Sequence, residues 1–122
     1  MSIGLLLSDD LIFTSRITGT ARAIGLTVKS ARSADALLTL ARQQAPVCVL
    51  LDLQNPGLDL PDLLRRLAEM CPEPPRVVAY GSHVDAATLK AARVAGCDPV
   101  LPRSQFVDDL PTELAAWFTS RR

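Results

Sequence analysis

The 122-residue sequence has no long hydrophobic run, no net charge and only one histidine. Its apolar stretches are much shorter than the roughly 20 residues that a membrane-spanning helix needs, and its N-terminus lacks a signal-type segment. Thirteen basic residues balance thirteen acidic ones, so no net field favours nucleic acid or an anionic membrane as a partner. These absences predict a cytoplasmic protein with no membrane or nucleic-acid partner.

Cysteine usage and composition bound the architecture further. Cys48, Cys71 and Cys97 are odd in number and lack CxxC spacing, so the sequence predicts small core residues rather than disulfides or zinc ligands. With 48% hydrophobic residues, a chain of this length can bury a substantial core. We therefore expect a single domain over residues 1–122.

Short apolar runs alternate with segments of helical periodicity along the whole chain. The predicted strands cover residues 3–7, 26–29, 47–52, 76–80 and 98–101. Ser33 and Asp85 are predicted helix N-caps, and the last helix is predicted to begin near Pro111 and to bury Leu114 and Trp117. Because parallel strands need a helical crossover, this alternation predicts an α/β fold with one parallel sheet between two helix layers.

Asp52 ends a continuous apolar run, and the strand-breaking residues Asn55-Pro56-Gly57 follow after Leu53 and Gln54. A run without alternation is typical of a strand covered on both faces, and ligands bind such sheets beyond the carboxyl ends of the strands. Asp52 is therefore a candidate functional residue. The competing interpretation is an aspartate that only stabilises the turn through its own backbone.

Two further carboxylates, Asp9 and Asp10, follow the first strand. If that strand lies at the switch in strand order, Asp9, Asp10 and Asp52 come together at one sheet edge. Such an all-oxygen site suits Mg²⁺, and a carboxylate beside that ion can act as a nucleophile toward a phosphoryl group. Capping of the first helix is the alternative role for the acidic pair.

The acidic pair, the run 51–59 and the Ala-Gly-Cys-Asp step at 95–98 together resemble the receiver domain of two-component response regulators. The resemblance covers nearly the whole chain and implies a CheY-like, flavodoxin-like (βα)5 three-layer sandwich with strand order 2-1-3-4-5. It implies a signalling module rather than an enzyme, in which Asp52 accepts a phosphoryl group from a histidine kinase or a phosphotransfer protein. It also implies that the acidic pair, Asp52 and the main-chain carbonyl of Gln54 bind Mg²⁺.

The sequence departs from this family at the residues that complete its site. Gly81 stands where the family has a serine or threonine, with Ser82 as a possible substitute for the hydroxyl. Arg103 followed by Ser104 replaces lysine and proline, and arginine is not equivalent to an ammonium group. Val100 takes the place of the family's aromatic switch residue. The acidic pair itself reads either as Ser8-Asp9 by counting back from the helix end or as Asp9-Asp10 by residue type.

Three functions from different classes are compatible with these residues. The first is a receiver that signals by phosphorylation of Asp52, and the second is a pseudo-receiver that acts through protein contacts alone. The third, a flavin binder of the same topology, is disfavoured because the carboxylates after the first strand would repel a phosphate. If the chain is complete at Trp117 and the few residues after it, we expect a stand-alone receiver that meets a downstream protein through the part from His83 onward.

Overall fold

The computed structural model describes residues 2–119, in which five strands alternate with five helices. The elements in chain order are β1 (Ile3–Leu7), α1 (Leu11–Ala23), β2 (Thr27–Ala31), α2 (Ala34–Gln43), β3 (Cys48–Asp52), α3 (Leu60–Met70), β4 (Arg76–Gly81), α4 (Ala86–Ala95), β5 (Val100–Pro102) and α5 (Arg103–Thr119). No helix within the described residues is long and apolar enough to span a bilayer.

The strands form one parallel sheet in the order β2-β1-β3-β4-β5, which confirms the predicted fold class. Every residue of β1 and β3 is buried, as expected for strands covered on both faces. Leu7 pairs with Leu51, and Asp52 pairs with Tyr80. The residues that follow β1 and β3 therefore leave the sheet at the same edge, beside the end of β4.

Two apolar layers of different composition cover the two faces of the sheet. One layer is aliphatic and includes Leu5, Val49, Leu63 and Val100. The other contains the five aromatic side chains of the chain, namely Phe13, Tyr80, Phe106, Trp117 and Phe118. Tyr80 stacks on Phe106 with ring centroids 4.4 Å apart, and Phe106 stacks on Trp117 at 5.8 Å.

Local capping fixes where several helices begin. The side chains of Ser33 and Asp85 accept hydrogen bonds from the backbone N–H groups of Ala36 and Thr88, so both predicted N-caps are confirmed. α4 ends at Gly96, whose φ of 110° lies in the left-handed region that favours glycine. Ser33 and Asp85 thus mark the starts of α2 and α4, and Gly96 follows the last residue of α4.

The predicted start of the last helix is wrong. α5 begins at Arg103, not near Pro111, and Pro111 lies inside it. Proline removes one backbone donor, but Phe106 and Leu110 lie on the same helical face as Leu114, and all three are buried against the sheet. Their packing outweighs the local cost of the proline. The predicted fifth strand also shifts, since β5 begins at Val100 rather than at residue 98.

Candidate functional site

Asp52 lies at the carboxyl end of β3 and only 7% of its side chain is exposed. Its Oδ1 atom accepts a hydrogen bond of 2.9 Å from the backbone N–H of Gln54, which is the turn interaction considered as the competing interpretation. The Oδ2 atom faces the guanidinium group of Arg103, with Nη2 3.6 Å away. One oxygen of Asp52 therefore stabilises the turn while the other faces a cation.

Asp10 divides its carboxylate in the same manner. Its Oδ1 atom accepts a hydrogen bond of 2.9 Å from Phe13 N and caps α1, as the alternative role predicted. Its Oδ2 atom lies 3.7 Å from Nη1 of Arg103. The capping role and a place in the acid site are thus compatible for Asp10.

Asp9 points toward a different cation. Its Oδ1 atom lies 3.2 Å from Nη2 of Arg32, and both side chains are largely exposed. Asp10 and Asp52 therefore share Arg103, whereas Asp9 pairs with Arg32 at the rim. Ser8, the other residue considered for the acidic pair, is buried and its hydroxyl accepts a hydrogen bond from Asp10 N.

Arg103 is the residue that joins the parts of the site. It is the first residue of α5, directly after β5, and its Nη2 also donates to the side-chain oxygen of Gln54 at 3.5 Å. Its Cζ atom lies 4.9 Å from the ring centre of Phe13 and 5.8 Å from that of Tyr80. The guanidinium group is held between carboxylates and the faces of two aromatic rings.

Burial raises the pKa of the Asp52 carboxyl above its usual value. The hydrogen bond from Gln54 and the charge of Arg103 oppose this shift, while the carboxylates of Asp10 and Asp9 reinforce it. Burial also raises the pKa of the Tyr80 hydroxyl, and the nearby Asp52 charge adds to that shift. The ionised form of Asp52 therefore depends on its hydrogen bond and on Arg103.

A cleft of about 600 Å³ opens beside the acid site. Its lining includes Arg16, Gln54, Ser82, His83, Arg103 and Ser104. Ser82 is partly exposed there and its hydroxyl accepts a hydrogen bond of 3.3 Å from Val84 N. Gly81 is buried at the end of β4 and supplies no hydroxyl. The cleft meets the acid site at Gln54 and Arg103, which both contact Asp52.

The donor set has the chemistry that Mg²⁺ prefers, since carboxylate oxygens of Asp10 and Asp52 face the same guanidinium group. The main-chain carbonyl of Gln54 is the further oxygen that the family resemblance implies. Within residues 2–119, however, no three carboxylate, histidine or cysteine side chains converge in a metal-binding arrangement. Asp9 is directed to Arg32, and Arg103 lies between Asp10 and Asp52. The residues fit a divalent ion in type, and in this structure the single charge of Arg103 partly neutralises Asp10 and Asp52.

Sequence reasoning missed Arg32 and the aromatic platform under Arg103. Arg32 follows β2 directly, so the strand order alone would have placed it beside the loop after β1. Phe13 lies in a segment of helical periodicity and Tyr80 ends the predicted strand 76–80. Nothing in the sequence signals that their rings would face the same guanidinium group.

No protein-family model matches the chain. Its sequence is 30% identical over 97 residues to the response regulator protein TmoT of Ectopseudomonas mendocina. This match covers 80% of the chain, but the chain spans only 44% of the length of TmoT.

Solved structures show the same fold over nearly the whole chain. The receiver domain of NtrX from Brucella abortus superposes with a TM-score of 0.81 at 24% identity, covering 96% of this chain and 98% of that one. A response regulator from Burkholderia pseudomallei, with a phosphorylated aspartic acid, a calcium ion and citrate, gives a TM-score of 0.74 at 20% identity and covers 95% of this chain and 70% of that one. The chain thus has the CheY-like fold of response-regulator receiver domains, and its sequence is similar to that of a response regulator.

Proposed function

We propose that the chain is a receiver domain that accepts a phosphoryl group on Asp52 and signals through the resulting change at its surface. The observation that carries this proposal is the position of Asp52. This residue ends a buried strand, and its Oδ2 atom lies 3.6 Å from Nη2 of Arg103. A nucleophilic oxygen beside a cation suits phosphoryl transfer, because negative charge must be neutralised as the oxygens approach.

In this role the Asp52 carboxylate attacks phosphorus, a new O–P bond forms, and the bond from phosphorus to the donor group breaks. With a phosphohistidine donor, the bonding electrons return to the imidazole nitrogen, which takes up a proton from solvent. Arg103 neutralises the incoming phosphoryl oxygens, and Gln54 N–H holds Asp52 in place through Oδ1. Mg²⁺, when held by Asp10, Asp52 and the Gln54 carbonyl, with Asp9 at the rim, would screen the same charges.

The partners in this role are proteins. A histidine kinase or a phosphotransfer protein would supply the phosphoryl group in the cytoplasm, and a downstream protein would recognise the modified surface. The phosphorylated aspartic acid and the calcium ion in the Burkholderia pseudomallei response regulator support the proposal, because that protein shares this fold.

The proposal is tested by treating the wild type and the Asp52→Asn variant with a small phosphodonor and Mg²⁺, then measuring the mass of the intact chain. We expect one added phosphoryl group on the wild type and none on the variant. Asp59→Asn is the matched control, since Asp59 is also an aspartate ahead of a helix but caps α3 away from Arg103. Equal labelling of wild type and Asp52→Asn would contradict the assignment of Asp52.

A second candidate function is a pseudo-receiver that acts by protein contact without phosphorylation. Two observations favour it, since Gly81 supplies no hydroxyl at the end of β4 and Val100 is a buried aliphatic residue. In that case a partner would bind wild type and Asp52→Asn with equal affinity, and neither would be labelled. A partner whose affinity changes only after labelling of Asp52 would exclude it.

A further inference from the structure

The position between Asp10 and Asp52 is filled by a side chain of the protein itself. Nη1 of Arg103 lies 3.7 Å from Asp10 Oδ2, and Nη2 lies 3.6 Å from Asp52 Oδ2. The two nitrogens of one guanidinium group thus face two carboxylates that come from different elements. A lysine ammonium group is a single point of charge and does not present two nitrogens in this manner.

Three other contacts hold Arg103 in this orientation. Nη2 donates to Gln54 Oε1 at 3.5 Å, and the rings of Phe13 and Tyr80 lie 4.9 and 5.8 Å from Cζ. The Arg103 side chain nevertheless remains 37% exposed, and a cleft of about 600 Å³ lies next to it. Arg103 is therefore held in position but has room to move toward solvent.

The charge balance explains why the arginine is needed. Asp52 is nearly buried while the Asp10 side chain is 45% exposed, and the negative charge of Asp10 disfavours an ionised Asp52 unless a cation lies between them. A divalent ion that binds the same two oxygens would meet the positive charge of Arg103 at a few ångströms. Like charges at that distance oppose each other even when water screens them.

We propose that Arg103 is the resident cation of the acid site, and that a divalent ion binds Asp10 and Asp52 only when Arg103 swings away from them. Arg103 then sets the metal affinity of the site, because each binding event must break its contacts with both carboxylates and with the two rings. The inference concerns the same acid site as the proposed function, but it does not require phosphorylation.

The test is a titration with Mg²⁺ alone, followed by amide shifts of Asp10, Asp52 and Gln54 in NMR spectra. We expect Arg103→Gln to bind Mg²⁺ about tenfold or more tightly than the wild type, the scale set by removing a like charge a few ångströms away. Arg16→Gln is the matched control, because Arg16 lines the same cleft and is exposed. Its affinity should match that of the wild type.

A second measurement reports the movement itself. In the wild type, Mg²⁺ should shift the ring protons of Phe13 and Tyr80, because the guanidinium group leaves their faces; in Arg103→Gln these shifts should be much smaller. Equal affinity of wild type and Arg103→Gln, loss of Mg²⁺ binding in the variant, or an equal gain in Arg16→Gln would overturn the proposal. Wild-type binding without ring shifts would overturn it as well.

The labelling experiment on Asp52 separates the two proposals. If Arg103→Gln gains Mg²⁺ affinity while the wild type takes no phosphoryl group, the resident-cation inference holds and the proposed function fails. If Asp52 is labelled but the wild type and Arg103→Gln bind Mg²⁺ with equal affinity, the proposed function holds and the resident-cation inference fails.

Discussion

Asp52 faces Arg103 across the carboxyl edge of the sheet, with Oδ2 and Nη2 3.6 Å apart, although the two residues are the last of β3 and the first of α5. The sheet order explains this contact, because β4 alone separates β3 from β5 and all three end at the same edge. The partner of the buried carboxylate is therefore set by the topology of the sheet.

Asp52→Asn should raise the stability of the metal-free protein at neutral pH. Burial raises the folded-state pKa of Asp52 above the usual 3.8, because the folded protein favours the protonated carboxyl. The stability that this preference contributes is present below pH 3.8 and is lost as the pH rises through the folded-state pKa. Asparagine is neutral throughout and can still accept from Gln54 N–H. We expect an increase of a few degrees in Tm, the scale of about 1 kcal/mol in a domain of this size.

Thermal unfolding of both proteins between acid and neutral pH checks this prediction. The gain should shrink toward zero below pH 3.8, where Asp52 is also neutral. Asp108→Asn serves as the control, because Asp108 is exposed and its replacement should change stability by less than about 0.5 kcal/mol. A loss of stability in Asp52→Asn at neutral pH would show that the turn and the ion pair outweigh the cost of burial.

Gly81→Ser should supply the hydroxyl that the family has at the end of the fourth strand. A Cβ atom at Gly81 would lie 3.4 Å from Leu89 and 3.5 Å from Leu53, which is ordinary contact, so the backbone need not move. Gly81→Ala is the matched control with the same Cβ and no hydroxyl. In unmodified protein, Gly81→Ser should be less stable than Gly81→Ala by about 1 kcal/mol, since its buried hydroxyl must find a partner.

The measurement is amide shifts with and without beryllofluoride and Mg²⁺. In the wild type and Gly81→Ala, we expect the changes to stay near Asp52 and the loop after β4, because no side chain at Gly81 can respond. In Gly81→Ser they should extend to Leu89 and Val100. Shifts that reach these residues equally in all three proteins would mean that another element couples the site to α4 and β5.

Gly4→Ala and Gly19→Ala should change stability in opposite directions. A Cβ atom at Gly4 would lie 2.7 Å from the Phe118 ring, so that ring must shift, and we expect a loss of about 1–3 kcal/mol. At Gly19, inside α1, a Cβ atom would have no heavy atom within 4 Å beyond its chain neighbours and the adjacent backbone of its own helix, so alanine should add about 0.5–1 kcal/mol through its helix propensity. Chemical denaturation of the two variants beside the wild type measures both effects, and a stabilised Gly4→Ala would contradict the packing described for Phe118.

Sequence patterns predicted the fold because burial of the strands leaves a direct signature. β1 is apolar throughout, β3 is apolar up to its final residue Asp52, and Ser33 and Asp85 have the side chains that cap helices. The start of α5 could not be predicted in this way. Pro111 is a strong local signal, while the burial of Phe106 on the sheet depends on the whole fold.

The candidate site was predictable in its members but not in its pairings. The position of Asp52 follows from its place at the end of an apolar strand. In the structure the Oδ1 atoms of Asp52 and Asp10 make the turn and cap interactions, and both Oδ2 atoms face Arg103. Which arginine each carboxylate meets depends on side-chain directions at the sheet edge. The sequence contains no periodicity that separates Asp9, paired with Arg32, from Asp10, paired with Arg103.

All five aromatic side chains lie on one face of the sheet, so only that face contains groups that absorb in the near ultraviolet. Near-ultraviolet circular dichroism and the fluorescence of Trp117, the single tryptophan, report on the layer that contains α1 and α5. The opposite layer, with α2, α3 and α4, is aliphatic and silent at those wavelengths. A rearrangement confined to α4 would therefore escape both methods, whereas a movement of Arg103 over Phe13 and Tyr80 would begin next to the chromophores.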